Sequence, residues 1–228
     1  MNKVTLGKIQ DQEYEIVEAF RTIKTNIQFC GANIKTIMVT SSVADEGKSV
    51  VAFHLARSLA ESNKKVLYVD CDIRRSVTIG RLGAYQENGK SIFGISHYLS
   101  EQKTLKEIIY STTIENVDMI FTGPDVPNPT ELLEGPLFQK LVEEVKGEYD
   151  KIIFDTPPLG LVIDAAVIGP CMDGAILVVR QGKVNRRMIK KVKKQLEHSG
   201  VRILGGILNG KKYEKQGYYY KSGYYQSY

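Results

Sequence analysis

The chain has 228 residues, 43% hydrophobic and 25% charged, with 31 Lys+Arg against 26 Asp+Glu for a formal charge of +5. Twenty glycines and seven prolines exclude a collagen-like or proline-rich disordered chain, no apolar run approaches the roughly 18–20 residues that cross a bilayer, and the opening MNKVTLGKIQDQEYE turns polar too early for a secretory signal. Cys30, Cys71 and Cys171 are too widely spaced for a disulfide framework or a metal-ligand pattern, so a reducing cytoplasm is expected, and the mild positive excess permits an anionic partner without requiring one.

A first helix is expected over about residues 13–29, where Ile16, Ala19, Phe20, Ile23 and Ile27 recur at helical spacing. An apolar strand over 36–40, a polar loop and a helix over about 49–62 follow, then a strand over 66–69. Residues 73–111 read as short helices and loops, and 117–121 as a strand. The prolines of 123–129 predict a loop. A helix over about 138–146, strands over 152–154 and 175–179, a basic helix over about 185–198 and a strand over 203–208 complete the order. Short apolar strands alternating with helices predict an α/β fold, a central mostly parallel sheet flanked by helices on both faces. Such a sheet binds ligands at the carboxyl ends of its strands. Residues 1–210 are expected to form one domain.

Three strand ends carry chemistry. After the first strand, Ser42-Val43-Ala44-Asp45-Glu46-Gly47-Lys48-Ser49-Val50 reads as a P-loop of a nucleoside triphosphatase, with Ser42 at the position of the first glycine. Its backbone N–H groups and the helix N-terminus would surround ATP phosphates, Lys48 would reach the β- and γ-phosphates, and Ser49 would ligate Mg²⁺. After the second strand, Asp70 and Asp72 point the same way on extended chain. One suits the base for an attacking hydroxyl, Asp70, and the other the metal, Asp72. Asp155, ending a third buried strand before Thr156-Pro157-Pro158, sits where an acid holds Mg²⁺ directly or through water. A chance Gly-Lys-Ser, or a helix cap beside a solvated acid, would explain any one of these singly, but not their convergence on one loop.

These stretches, with Asp70-Cys71-Asp72-Ile73-Arg74 and GPDVPNPTELL over 123–133, resemble the bacterial tyrosine kinases of the capsule and exopolysaccharide type, in their free-standing cytoplasmic form. The resemblance implies ATP- and Mg²⁺-dependent phosphorylation of tyrosine on a MinD/ParA-like fold of the SIMIBI class of P-loop proteins, and control of polysaccharide synthesis or export. It gives catalytic roles to Lys48, Asp70, Asp72, Asp155 and Arg74, an adenine contact to Asn209, and metal ligation to Ser49, Asp72 and Asp155.

The last 18 residues, KKYEKQGYYYKSGYYQSY, hold Tyr213, Tyr218, Tyr219, Tyr220, Tyr224, Tyr225 and Tyr228 and no aliphatic side chain. Such a segment builds no core, so 211–228 is expected to be a flexible tail and, on the resemblance, the phosphate acceptor. An adhesive aromatic strand or a nucleic-acid stacking platform would use similar residues. As a flexible chain it spans roughly 20–25 Å and reaches at most about 60 Å. Glu18-Ala19-Phe20-Arg21-Thr22-Ile23-Lys24 resembles the family's Glu-x-x-Arg-x-x-Arg motif, which implies a homo-oligomeric ring through Glu18, Arg21 and Lys24. Lys24 keeps the charge of the last arginine but not its planar fork. The resemblance also implies a separate membrane adaptor of the polysaccharide co-polymerase type that recruits the kinase to the inner face of the plasma membrane. A tyrosine phosphatase is expected as a further partner, and nucleic acid is not. The basic helix reads either as a solvated face or as contact for an anionic lipid or an acidic partner segment. The rivals are a MinD/ParA-like positioning ATPase, which would carry a second signature lysine where this chain has Val43, and a nucleotide-sensing scaffold that transfers nothing.

Overall fold

The computed structural model describes residues 2–9 and 13–210. The tyrosine-rich segment 211–228, and the mobility expected of it, lie outside the described residues. In chain order the elements are β1 (Asn2–Lys3), β2 (Thr5–Leu6), α1 (Tyr14–Phe29), β3 (Thr36–Ser41), α2 (Lys48–Ala60), β4 (Val66–Asp70), α3 (Thr78–Leu82), β5 (Ala84–Tyr85), α4 (Ile95–Leu99), α5 (Leu105–Ile108), β6 (Ile109–Ser111), β7 (Val117–Ile120), α6 (Pro129–Glu134), α7 (Pro136–Glu148), β8 (Lys151–Asp155), α8 (Asp164–Ile168), β9 (Gly174–Arg180), α9 (Arg186–His198) and β10 (Ile203–Asn209).

Eight strands form one sheet in the order β1-β6-β7-β4-β8-β3-β9-β10. From β7 to β10 every pairing is parallel, and β6 runs antiparallel to β7. The central strands alternate their apolar side chains between two cores. Met38, Leu67, Val69, Ile152 and Phe154 pack on one face, and Ile37, Val39, Val66, Tyr68 and Ile153 on the other. That period of two, buried both ways, makes these strands read as continuous apolar runs.

The structure adds detail where the sequence was quiet. The N-terminal β1 pairs parallel to β6 at the sheet edge, and 73–111 resolves into α3, β5, α4, α5 and β6. The proline loop is shorter than expected, because Pro129 opens α6 and Pro136 opens α7. A proline at the first helical position loses no hydrogen bond there. Among the described residues no helix is long and apolar enough to cross a membrane.

Candidate active site

β3, β4, β8 and β9 are adjacent and parallel, so their carboxyl ends form one edge. Register does the rest: Asp70 lies directly opposite Asp155 in the β4–β8 ladder, and the loop after β3 folds over both. Residues distant in sequence thereby meet at the start of α2.

The loop is shaped by Glu46, whose side chain is buried. Its Oε2 accepts the N–H groups of Ser42 and Val43 at 2.7 and 2.8 Å, and its Oε1 accepts that of Arg180 at 3.1 Å. The N–H groups of Ser42 and Val43 are thus held by Glu46, whose side chain braces the loop. Ala44, Asp45, Gly47, Lys48, Ser49 and Val50 line the cleft, whose volume is about 510 Å³, and the first N–H groups of α2 are free to meet an anion. Gly47 has φ +88°, and a Cβ there would sit 2.1 Å from Asn209 Nδ2. Asn209 also braces the loop. Its Nδ2 donates to the Glu46 carbonyl at 2.9 Å and its Oδ1 accepts from Gly210 N–H at 2.8 Å. Each end of this amide keeps a second hydrogen-bonding position beyond those two.

Lys48 Nζ stands 2.9 Å from Asp72 Oδ2, 3.7 Å from Asp155 Oδ1 and 3.3 Å from Ser49 Oγ. Burial works against the Lys48 charge, yet Asp155 and Asp72 outweigh it and hold its pKa above the ordinary lysine value. Asp155 is almost wholly buried, and burial, reinforced by Asp70 and opposed by Lys48, pushes its pKa up to about 6. Tyr68 donates to Asp155 Oδ2 at 2.9 Å, whereas Oδ1 is buried without a hydrogen bond. An orphaned carboxylate oxygen facing a Ser hydroxyl and a second carboxylate is a hard oxygen-donor set, and it fits Mg²⁺. Among the described residues no group of three or more His, Cys, Asp or Glu forms a ready-made metal cage.

Asp70, opposite Asp155 in the ladder, is as buried, at 1% exposed. Its Oδ2 accepts from Ser76 Oγ at 2.5 Å and its Oδ1 from Asp72 N–H at 3.1 Å. Burial raises its pKa above the usual carboxylate range, with the Ser76 bond acting the other way. Arg74 lines the same cleft as Asp72 but pairs with a different acid. Its Nε and Nη2 reach the two oxygens of buried Asp164 at 2.7 and 3.0 Å, and Thr130 Oγ1 bonds both Arg74 Nη2 and Asp164 at 2.8 Å. The Asp164 carboxylate raises the Arg74 pKa further. Arg74 thus ties the loop after β4 to α6 and α8. Its partner Asp164, like Tyr68 and Ser76, escaped sequence reading, because a lone acid or hydroxyl carries no spacing signal until a fold places its partner; Glu46 reads only as a member of the P-loop. Thr130 was foreshadowed only by the proline-rich stretch around it.

On α1, Glu18 and Arg21 pair with each other at 2.5 Å on the exposed surface, and Lys24 donates to Ser62 Oγ at 3.0 Å. The tail tyrosines lie outside the described residues, but β10 carries the chain out at Asn209, beside Gly47.

A family model described as an AAA domain matches residues 34–197. The chain is 42% identical to the tyrosine-protein kinase CpsD of Streptococcus agalactiae over 192 residues, 84% of this chain and 82% of that protein. The solved kinase domain of the Escherichia coli tyrosine kinase ETK superposes with a TM-score of 0.80 at 33% identity, covering 93% of this chain and 80% of that one. The septum site-determining protein MinD of Pyrococcus horikoshii, solved with Mg-ADP, superposes less well, with a TM-score of 0.63 at 27% identity over 76% of this chain and 69% of that one. The P-loop, the acids of β4 and β8 and these likenesses agree, and the chain belongs to the family of bacterial tyrosine-protein kinases.

Proposed function

We propose that this kinase transfers the γ-phosphoryl group of Mg-ATP to the tyrosines of its own C-terminal segment, and that this modification governs a polysaccharide-producing assembly. The observation that carries the reading is the meeting of Lys48, Ser49, Asp72 and Asp155 within hydrogen-bond or ion-pair reach, at the edge where the chain leaves toward its tyrosine-rich end.

Each residue then has a role. Lys48 exchanges its carboxylate partners for the β- and γ-phosphates, and the N-terminus of α2 adds its N–H groups and dipole. Ser49, Asp72 and Asp155 would hold the metal, which when bound would supply neutralising charge on the phosphates. Asp70, made more basic by burial, takes the proton of the acceptor hydroxyl once the Ser76 hydroxyl swings off Oδ2. Arg74, locked to Asp164, keeps the Asp70–Asp72 turn from moving. Two prolines, Pro157 and Pro158, with Leu161 and Val162, line one side of the cleft.

A subunit contact through α1 is part of the proposal. Beside Glu18 and Arg21 that helix exposes Tyr14 (73%) and Phe29 (83%), apolar surface that a second copy would cover. A separate membrane adaptor that recruits and activates the kinase, and a phosphatase that resets it, complete the cycle. Incubating the pure protein with Mg-ATP and mapping phosphate by mass spectrometry tests the reading. Phosphotyrosine among residues 213–228 supports it; ADP and free phosphate alone reassign the chain to an ATPase role, and no turnover at all reassigns it to nucleotide sensing.

A further inference from the structure

The kinase chemistry leaves the face of α9 unused. Arg186, Arg187, Lys190, Lys191, Lys193 and Lys194 are all exposed, and at 3.6 residues per turn they fall within an arc of roughly 160°. The opposite side is anchored by buried Val192 and Leu196 and by half-buried Met188 and Ile189. Its one acid, Glu197, is taken by Lys193 at 3.1 Å. Among the described residues no ion pair engages the other five cations. Charge repulsion along such a face is a standing cost unless something anionic lies against it.

A second, independent feature adjoins the first turn of this helix. Gly160 packs so tightly that a Cβ would fall 2.0 Å from the Ser42 carbonyl and 2.5 Å from Met188 Cε. The loop between β8 and α8 is therefore pressed on the first turn of α9. From that loop Leu161 and Ile163 project with 61% and 59% of their surface exposed. Aliphatic side chains standing in water beside a field of cations match the two requirements of an interfacial site, apolar insertion and attraction to anionic headgroups.

We propose that α9 and the loop 159–163 form a docking face for an anionic lipid bilayer. The observations favour lipid over an acidic polypeptide. The charge is spread over an exposed arc of one helix, and four of the six cations are lysines, which act as point charges and lack the bidentate fork of a carboxylate-specific site. An acidic peptide also gives no reason for two neighbouring aliphatic prongs, whereas an acyl layer buries them. Docked in this way, the protein sets the mouth of its nucleotide cleft, which Leu161 also lines, beside the membrane surface. The inference needs no particular acceptor tyrosine and adds a direct lipid contact to any adaptor.

The test is cosedimentation of the full, unphosphorylated chain with phosphatidylcholine vesicles, with and without phosphatidylglycerol. Binding is expected only with the anionic lipid and should weaken with salt. The triple variant Lys190→Gln, Lys191→Gln, Lys194→Gln should lose about 100-fold in apparent affinity, at about 1 kcal/mol per charge near such a surface. Ile163→Ser should lose roughly tenfold, with the salt dependence unchanged. Both variants should keep wild-type phosphotyrosine formation in solution, which shows them folded. Failure to bind anionic vesicles, equal binding to neutral ones, or equal binding by the triple variant overturns the proposal. So does capture of polyglutamate by the wild type, lost in the triple variant, without vesicle binding, which would assign the face to an acidic protein. The kinase reading stands or falls separately, on the phosphotyrosine signal of the wild type.

Discussion

Asp155 shows how much a single buried carboxylate is asked to do. It faces Asp70 across a strand pair, accepts from Tyr68, and keeps one oxygen unsatisfied 3.7 Å from Lys48. Burial, then Asp70, raises its pKa from 3.8 to about 6. The sign follows from proton binding: between about pH 4 and pH 6 the folded chain holds a proton that the unfolded chain has released, so this group lowers stability as pH rises through that window. Asp155→Asn should flatten this part of the pH–stability curve in thermal melts of the nucleotide-free protein. Metal binding needs the ionised form, so Asp155→Asn should also lower the rate of phosphotyrosine formation. Lys48→Met and Asp70→Ala should each lower that rate by at least about 10²–10³-fold, the scale of losing a preorganised charge or base. The variants should remain folded by circular dichroism, and persistent phosphotyrosine in either would reject its assigned role.

At the scale of elements, α1 is the piece whose surface does not suit a solitary chain. Phe20 and Ile27 bury against α2, but Ile16, expected on the same apolar side, is 41% exposed, and Tyr14 and Phe29 are more so. The Glu18–Arg21 pair is surface-exposed, so it adds little to the monomer. Its value lies in what a neighbouring subunit would offer it. Glu18→Ala is expected to shift the assembly toward monomer in multi-angle light scattering while leaving the melting temperature within a few degrees. An unchanged mass would remove Glu18 from the interface.

For the molecule as a whole, charge links modification to assembly. Each phosphotyrosine adds about −1.5 to −2 near neutral pH, so three of them cancel a formal +5. A phosphorylated segment leaving beside Gly47 would meet the acids of β4 and β8 and the phosphates in the cleft, all of like sign. Phosphorylation is therefore expected to release the segment and dissociate the oligomer. Sedimentation of matched phosphorylated and dephosphorylated samples checks this, and identical profiles would end the idea.

The sequence by itself determined the alternation of strands and helices, the P-loop at the start of a helix, and acids at two later strand ends, because periodicity and glycine-lysine-serine chemistry are local properties. It also supplied the tyrosine-rich end as a composition. Tertiary structure alone decided that Asp70 stands opposite Asp155, that Glu46 and Asn209 serve the loop's own backbone, and that Arg74 belongs to Asp164 and Thr130. Those pairings join residues up to 163 positions apart. Hydrogen bonds and ion pairs act only at contact, and the strand order that creates such contacts is fixed by how two cores pack on one sheet, which no local window of sequence contains.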